Sequence, residues 1–211
     1  FTYLRSMDEE AISLNAAGEA RGLHDFGRHA RPELSRAQAE PEWSKRIAKL
    51  FTASGVRATA EVAYPDQIHL PKRNWKRRDL QVELDDSLTI SIEIKGAWSD
   101  WWGRRNTTYR SYLLHPLVPG LDATKHHTVP YDLLKLSTLR PPETDYIAQL
   151  LIGFERPDDP MEDDVDTLIR LANLSQWSLC RDFWLSSVVA SQNVQCWFWY
   201  RQADGEWPLP T

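Results

Sequence analysis

Two neighbouring segments in the middle of the chain alternate apolar and polar residues. The first runs from Arg78 to Leu84 and the second from Leu88 to Gly96, with Asp85-Asp86-Ser87 between them. Alternation with a period of two predicts β-strands with one buried face. The short polar run predicts a hairpin with a three-residue loop. The two segments therefore favour an antiparallel β-sheet in this part of the chain.

The register of this hairpin decides which side chains meet. One face is aliphatic, formed by Leu80, Val82, Leu84, Ile90, Ile92 and Ile94. On the other face, a three-residue loop sets Asp79 opposite Glu93 and Arg77 opposite Lys95. Like charges at facing positions, with Cβ atoms about 4.5–5.5 Å apart, are unfavourable unless opposite charge lies beside them. The polar face therefore predicts a site that takes a cation and an anion together.

A divalent metal ion bound beside a phosphate would meet both requirements. Carboxylate oxygens suit Mg²⁺ or Mn²⁺, and Mg²⁺ is commonly held by one or two carboxylates together with water and phosphate oxygens. Lys95 projects from the same face as Glu93 and can hold or help to deprotonate a metal-bound water. The spacing predicts phosphodiester hydrolysis. The competing interpretation is an ordinary solvated polar face, on which three such residues arise by chance.

The residues Asp79 and Glu93-Ile94-Lys95 resemble the core motif of the PD-(D/E)XK nuclease superfamily, which has the restriction-endonuclease-like fold. The resemblance covers about residues 37 to 155, and it departs from the family pattern at Arg78, where the family has proline. It implies an α/β fold with a mixed central sheet of four to five strands flanked by helices. It also implies a Mg²⁺-dependent endonuclease, with Mn²⁺ able to substitute, in which Asp79, Glu93 and the carbonyl of Ile94 bind the metal and Lys95 is catalytic.

In that family a glutamate from the helix before the first strand often completes the metal site. Glu42 is the better candidate here, Glu40 is the alternate, and Glu61 is a weaker third choice. The competing interpretation of Glu42 is an ordinary first-turn acid that interacts with the helix dipole. A separate pair, His126-His127 with Asp122 and Asp132, is a weaker metal candidate, because adjacent residues of an extended chain point in opposite directions.

Basic residues cluster at both ends of the hairpin, although the net charge of -5 argues against non-specific coating of nucleic acid. Such clusters suit phosphate contacts, and the competing interpretation is solvated surface. The residues expected to contact nucleic acid are Lys76, Arg77, Arg78, Arg104, Arg105 and Lys135. Lys135 belongs to a predicted helix that begins at Pro130, and the resemblance implies such a helix after the active strand.

The remaining segments complete an α/β pattern around the hairpin. Residues 1–34 are predicted to form an N-terminal helical extension, and residues 35–211 the nuclease-like domain. We predict helices over 35–53, from 130 and over 161–174, and strands over 56–64, 145–154 and 194–200. Residues 183–189 suit a strand or a short helix, and residues 98–120 suit a loop or irregular insertion.

Composition limits the compartment and the class of protein. No apolar run approaches the roughly 20 residues of a membrane helix, and the chain has no signal peptide pattern at its start. With only Cys180 and Cys196, it is expected to be cytoplasmic and free of membrane. Because it begins with Phe1, we expect an excised piece or one domain of a larger protein.

The residues and the resemblance together favour a metal-dependent nuclease that acts on DNA in preference to RNA. A further hypothesis makes the domain the effector of a defence or mobile-element protein, acting as a homodimer or within a larger chain. The alternative is a catalytically inactive module of the same fold that binds nucleic acid or a protein partner.

Overall fold

The computed structural model describes nine ranges of the chain: residues 39–65, 76–84, 88–98, 100–101, 104–105, 109–121, 128–155, 157–185 and 193–204. The helices are α1 (Ala39–Ala53), α2 (Tyr109–Leu114), α3 (Val129–Leu136) and α4 (Glu162–Leu171), with a 3₁₀ turn at Leu174–Gln176. The strands are β1 (Arg57–Ala63), β2 (Arg77–Leu84), β3 (Leu88–Trp98), β4 (Asp100–Trp101), β5 (Arg104–Arg105), β6 (Tyr146–Glu155), β7 (Ser178–Leu185) and β8 (Asn193–Gln202). The predicted N-terminal extension lies outside the described residues.

Six strands form one mixed sheet in the order β1-β2-β3-β6-β8-β7. Only the pairing of β3 with β6 is parallel among these neighbours, and the other four are antiparallel. The α/β class is confirmed, but the predicted count of four to five strands is wrong. The additional strand is β7, which begins at Ser178 instead of near Phe183. The charged pair Arg181-Asp182 interrupts the apolar pattern of β7. An edge strand tolerates charged residues because it has a neighbour on one side only.

The predicted register of the central hairpin is confirmed from the loop as far as Leu80 and Ile92. Leu80 pairs with Ile92, Val82 with Ile90 and Leu84 with Leu88, so three residues connect the two strands. The aliphatic face of the hairpin is buried beneath α1. Trp43 and Ile47 of that helix belong to the same apolar cluster as Leu80, Val82, Ile92 and Ile94. Burial of these side chains is the main force that holds α1 on the sheet.

The opposite face of the sheet is covered by α2, α3 and α4. Leu113, Leu133 and Leu168 of these helices share a cluster with Ile147 and Trp197 of the sheet. Strand β6, predicted from its continuous apolar run to be covered on both faces, is buried along almost its whole length. None of the helices in the described ranges is long and apolar enough to cross a membrane.

The polar face of the hairpin is buried along β3 and half-buried along β2. Glu93 is 1% exposed and Lys95 is 6% exposed. The interpretation of this face as an ordinary solvated surface is wrong for these two residues, because α3 covers it. Burial of an acid and a base side by side requires that both find partners, since an unpaired charge in a protein interior is costly.

A change of face near the end of β1 brings one further side chain to this buried region. Residues four apart in a regular strand share a face, yet Ala60 packs in the cluster beneath α1 and Tyr64 in the cluster beneath α3. Glu61, between them, has a positive φ of 58°. This left-handed conformation is uncommon for a residue other than glycine, and it accounts for the reversal. Tyr64 is thereby turned towards Glu93.

Candidate active site

Asp79 is fixed to the strand that carries the other two motif residues. The backbone pairing of β2 with β3 reaches Leu80 and Ile92, and Asp79 is the next residue of β2 beyond it. The Oδ2 atom of Asp79 accepts a hydrogen bond of 2.7 Å from the backbone N–H of Ile94. A carboxylate here replaces a backbone carbonyl as the partner of that N–H. The side chain is thus oriented by the backbone between Glu93 and Lys95.

Glu93 is held by two side chains from different elements. The hydroxyl of Tyr64, just after β1, donates a hydrogen bond of 2.5 Å to Oε1. The ammonium of Lys135, on α3, donates one of 2.9 Å to Oε2. Both carboxylate oxygens therefore have a buried donor, which offsets part of the cost of removing the charge from water.

Asp132 lies between two lysine ammonium groups. Its Oδ1 atom is 2.9 Å from Nζ of Lys135, three residues later on α3. Its Oδ2 atom is 3.2 Å from Nζ of Lys95, a contact that does not have the geometry of a hydrogen bond and is attractive through charge alone. The contacts link five residues in series, which we call the buried charge cluster: Tyr64, Glu93, Lys135, Asp132 and Lys95.

The sequence of α3 explains how two of these residues reach the sheet. The Thr128 side chain caps the helix by accepting from the N–H of Tyr131, and Pro130 lies in the first turn, where it is favoured. Leu133 and Leu136 are fully buried and hold the helix on the sheet. Residues three apart on a helix are neighbours, so Asp132 and Lys135 project together towards β3.

The cluster shifts the pKa values of its members. Burial raises the pKa of Glu93 to about 7, and the nearby charge of Asp132 adds to this, while Lys135 and Tyr64 oppose it. For Lys135, burial lowers the pKa, but the carboxylates of Glu93 and Asp132 outweigh it and the net pKa is above its usual range. Burial, followed by the charge of Glu93, raises the pKa of Tyr64. At neutral pH Lys135 is therefore a cation and Tyr64 a neutral donor.

The predicted nucleic-acid-binding residues have different surroundings. Arg77 is exposed, and exposed Lys76 has its Nζ atom 5.4 Å from the centre of the Tyr131 ring. Arg78 is only 6% exposed and donates a hydrogen bond of 2.7 Å to the hydroxyl of Ser91. Lys135 was expected to meet phosphate or solvent, but its ammonium is turned inwards to Glu93.

Several candidates lie wholly or partly outside the described residues. Glu42 and Glu40 belong to the first turn of α1, but their side chains are not described. The same is true of the side chains of Arg104 and Arg105, whose backbone forms β5. His126 and His127 lie outside the described ranges. The roles predicted for these residues remain predictions.

Sequence reasoning missed Tyr64 and the link from Asp132 to Lys95. It also missed Gln149, which pairs in register with Glu93, is 0% exposed, and has an Oε1 atom without a hydrogen-bond partner in the described structure. Two signals were available. Asp132 and Lys135 have helical spacing on a helix with a strong apolar face, and Gln149 is the only side-chain amide in the apolar run of β6.

The arrangement places two acidic side chains and an amine on neighbouring residues of β2 and β3. Within the described ranges, no group of three or more acidic, histidine or cysteine side chains converges as a metal site. Asp79 and Glu93 are two such residues, so a metal held here would need further ligands from backbone, water or substrate. The chain was compared with family models, curated proteins and solved structures, and none of them matches it.

Proposed function

We propose that this protein is a divalent-metal-dependent nuclease that hydrolyses phosphodiester bonds, of DNA in preference to RNA. The observation that carries the proposal is that the Asp79 carboxylate accepts a hydrogen bond from the backbone N–H of Ile94, directly between buried Glu93 and Lys95. Two carboxylates on adjacent strands are suited to a hard cation, and a lysine two residues beyond the second is suited to a reacting water or phosphate. A protein that only binds nucleic acid needs no buried glutamate such as Glu93 at this end of the hairpin.

The order of elements supports the restriction-endonuclease-like assignment. Helix α1 precedes β1, the β2–β3 hairpin carries the acids and the lysine, and α3 leads into β6, which runs parallel to β3. This agrees with the order of helix, strand and hairpin implied by the resemblance to PD-(D/E)XK nucleases. Because one fold supports many activities, we infer the function from the site.

The residues present fit Mg²⁺ or Mn²⁺. Asp79 and Glu93 would supply carboxylate oxygens and Ile94 its carbonyl, with Glu42 as a further candidate. The N–H of Ile94 is directed to Asp79, and the N–H and C=O of one strand residue point to the same side. The carbonyl is therefore directed to the same edge of β3 as Asp79. The metal, when bound, lowers the pKa of a coordinated water and neutralises charge on the phosphate.

The side chains around this point have separate tasks in the proposal. Lys95 orients the attacking water or stabilises charge on the phosphate as it develops. Tyr64 and Lys135 hold the Glu93 carboxylate in one orientation by hydrogen bonds to its two oxygens. Exposed Arg77 and Lys76 are available to bind the backbone of the nucleic acid as it approaches.

Cleavage assays with Lys95→Ala test the proposal. The wild-type protein is expected to cleave plasmid or linear DNA in Mg²⁺ or Mn²⁺, with slower cleavage of RNA and none in EDTA. Lys95→Ala is expected to lower the rate by roughly 100-fold or more. Lys49→Ala is the matched control, because Lys49 is an exposed lysine on α1. Unchanged cleavage by Lys95→Ala would contradict the mechanism.

A second candidate function is a non-catalytic module of the same fold that binds nucleic acid or a protein. One observation favours it: both oxygens of Glu93 already accept hydrogen bonds from within the protein. A cluster neutralised in this way is stable without a metal. This function predicts binding of nucleic acid that weakens with salt, does not depend on Mg²⁺, and is not followed by cleavage.

A further inference from the structure

We propose that Asp132 is a positioning residue that holds the ammonium of Lys95 at the active centre, an inference that rests on the nuclease function proposed above. Asp132 is on α3, remote in sequence from the hairpin, and no part of the motif names it. Its two carboxylate oxygens contact Nζ of Lys95 and Nζ of Lys135, so we assign its effect on the reaction to these neighbours.

A catalytic lysine needs an external restraint. Its side chain has four rotatable bonds, and fixing them costs conformational entropy. The Asp132 carboxylate lies 3.2 Å from Nζ of Lys95, and both side chains are almost fully buried. In such surroundings an opposite charge is a strong restraint because solvent screens it little.

Asp132 is itself held in place from two sides. It lies in the first turn of α3, whose N-terminus is capped by Thr128 and favours a negative charge. Its second oxygen is 2.9 Å from Nζ of Lys135. The helix and Lys135 thus fix the Asp132 carboxylate independently of Lys95. A positioning role requires this.

The Lys135 contact provides a competing explanation that can be separated by experiment. Loss of Asp132 could act through Lys135 and hence through Glu93, the proposed metal ligand. In that case the metal concentration needed for half-maximal cleavage would rise. If Asp132 acts through Lys95, that concentration and the KM for DNA stay unchanged, and kcat falls.

The test is steady-state cleavage of linear DNA by Asp132→Asn at varied DNA and Mn²⁺ concentrations. We expect kcat to fall about 10- to 100-fold, because a small displacement of a catalytic group has an effect of this size. Asp132→Glu, which retains the charge, is expected to recover part of the loss. In Lys95→Ala/Asp132→Asn, the second substitution should cause little further loss, since its target is gone. Asp166→Asn, at an exposed position on α4, is the control.

Each of these measurements either supports the positioning role of Asp132 or overturns it. Wild-type kcat in folded Asp132→Asn would overturn the positioning role, as would a full additional loss in the double variant or a changed metal requirement alone. If Asp132→Asn does not fold, Asp132→Glu decides: a lower kcat at an unchanged metal requirement supports the positioning role, and a raised metal requirement at wild-type kcat overturns it. Failure of the wild-type protein to cleave, or normal cleavage by Lys95→Ala, would instead overturn the nuclease proposal, and this inference with it.

Discussion

Lys135 of α3 donates a hydrogen bond of 2.9 Å to Glu93 of β3, across 42 positions of sequence and inside the protein. This contact joins the helix to the polar face of the hairpin where apolar packing alone would not. A buried ion pair contributes little net stability compared with a hydrophobic pair, but removal of one partner leaves an uncompensated charge. A single substitution in this pair should therefore cost more stability than the intact pair contributes.

Lys135→Met should lower the free energy of unfolding by about 3 kcal/mol, because buried Glu93 loses its cation and must either remain charged without it or take up a proton. Glu93→Gln/Lys135→Met should lose much less than the sum of the single variants. Urea denaturation at pH 8 in EDTA measures these differences. Lys49→Met, at an exposed position on α1, should change stability by less than about 0.5 kcal/mol. Additive losses in the double variant would show that the two residues do not interact.

Asp79 allows its structural role to be separated from its charge. Its Oδ2 atom accepts from the N–H of Ile94, and the amide oxygen of asparagine can accept the same bond. Asp79→Asn is expected to fold with nearly wild-type stability and to lose metal-dependent cleavage. Asp79→Ala should lose cleavage and about 1 kcal/mol or more of stability, because the N–H of Ile94 loses its acceptor.

Hydrogen exchange of the Ile94 amide, together with urea denaturation, measures the structural part. The amide should remain protected in Asp79→Asn and exchange faster in Asp79→Ala. Full cleavage by Asp79→Asn would argue against a role for the carboxylate in metal binding.

The adjacent residues Arg77 and Arg78 should behave differently. Arg77 is exposed, so Arg77→Ala should leave stability unchanged and weaken DNA binding. Each lost phosphate contact should reduce the slope of log affinity against log salt concentration by about 0.9. Arg78 is buried against Ser91, and burial lowers its pKa. Arg78→Ala should therefore mainly lower the free energy of unfolding.

Fluorescence titrations of labelled DNA at several salt concentrations, with urea denaturation of both variants, distinguish the two residues. Ser91→Ala is a useful companion, since it removes only the partner of Arg78. If Arg78→Ala were as stable as wild type and reduced the salt slope as Arg77→Ala does, the buried contact would be unimportant and Arg78 would act on phosphate.

Glu155 should make stability depend on pH independently of the candidate site. Burial raises its pKa, and the charges of Glu162 and Asp159 add to this, while hydrogen bonds from the N–H of Met161 and from Gln195 oppose it. Because the folded-state pKa lies above the unfolded value of about 4.3, folding favours the protonated form. This contribution to stability is fully present below pH 4.3 and is lost as pH rises through the folded-state pKa.

Glu155→Gln should remove that loss, since an amide does not ionise and its oxygen still accepts from Met161. Its free energy of unfolding should therefore rise relative to wild type as the pH is raised above about 4.3. Urea denaturation between pH 4 and pH 8 provides the comparison. For Asp166→Asn, the plot of the free energy of unfolding against pH should be parallel to that of the wild type. A parallel plot for Glu155→Gln would show that the pKa of Glu155 is not raised.

The hairpin could be predicted from sequence because its determinants are local. Alternation from Leu80 to Leu84 and from Ile90 to Ile94 indicates which face is buried, and a three-residue loop fixes the register. Extended by one residue, that register predicts Asp79 opposite Glu93. The burial of the polar face beneath α3 was not predictable in the same way. Polar residues on a strand look solvated until the elements that pair with them are known.

The partners of Glu93 and Lys95 come from distant elements with different local patterns. Tyr64 faces Glu93 only because Glu61 adopts a positive φ, and residue alternation predicts the opposite face. Asp132 and Lys135 were visible as a helical pair, but not as residues turned towards charge. Strand β7 was incompletely predicted because Arg181 and Asp182, at the edge of the sheet, interrupt its apolar pattern.

The parallel pairing of β3 with β6 also has a consequence for the growing chain. Parallel neighbours need a long crossover, and here it contains α3. On the ribosome, the β2–β3 hairpin is therefore synthesised before the helix that covers Glu93 and Lys95. Until then, these charges face water and leave one side of the nascent hairpin hydrophilic. Residues that are buried in the finished protein thus reduce the aggregation risk of an unfinished one.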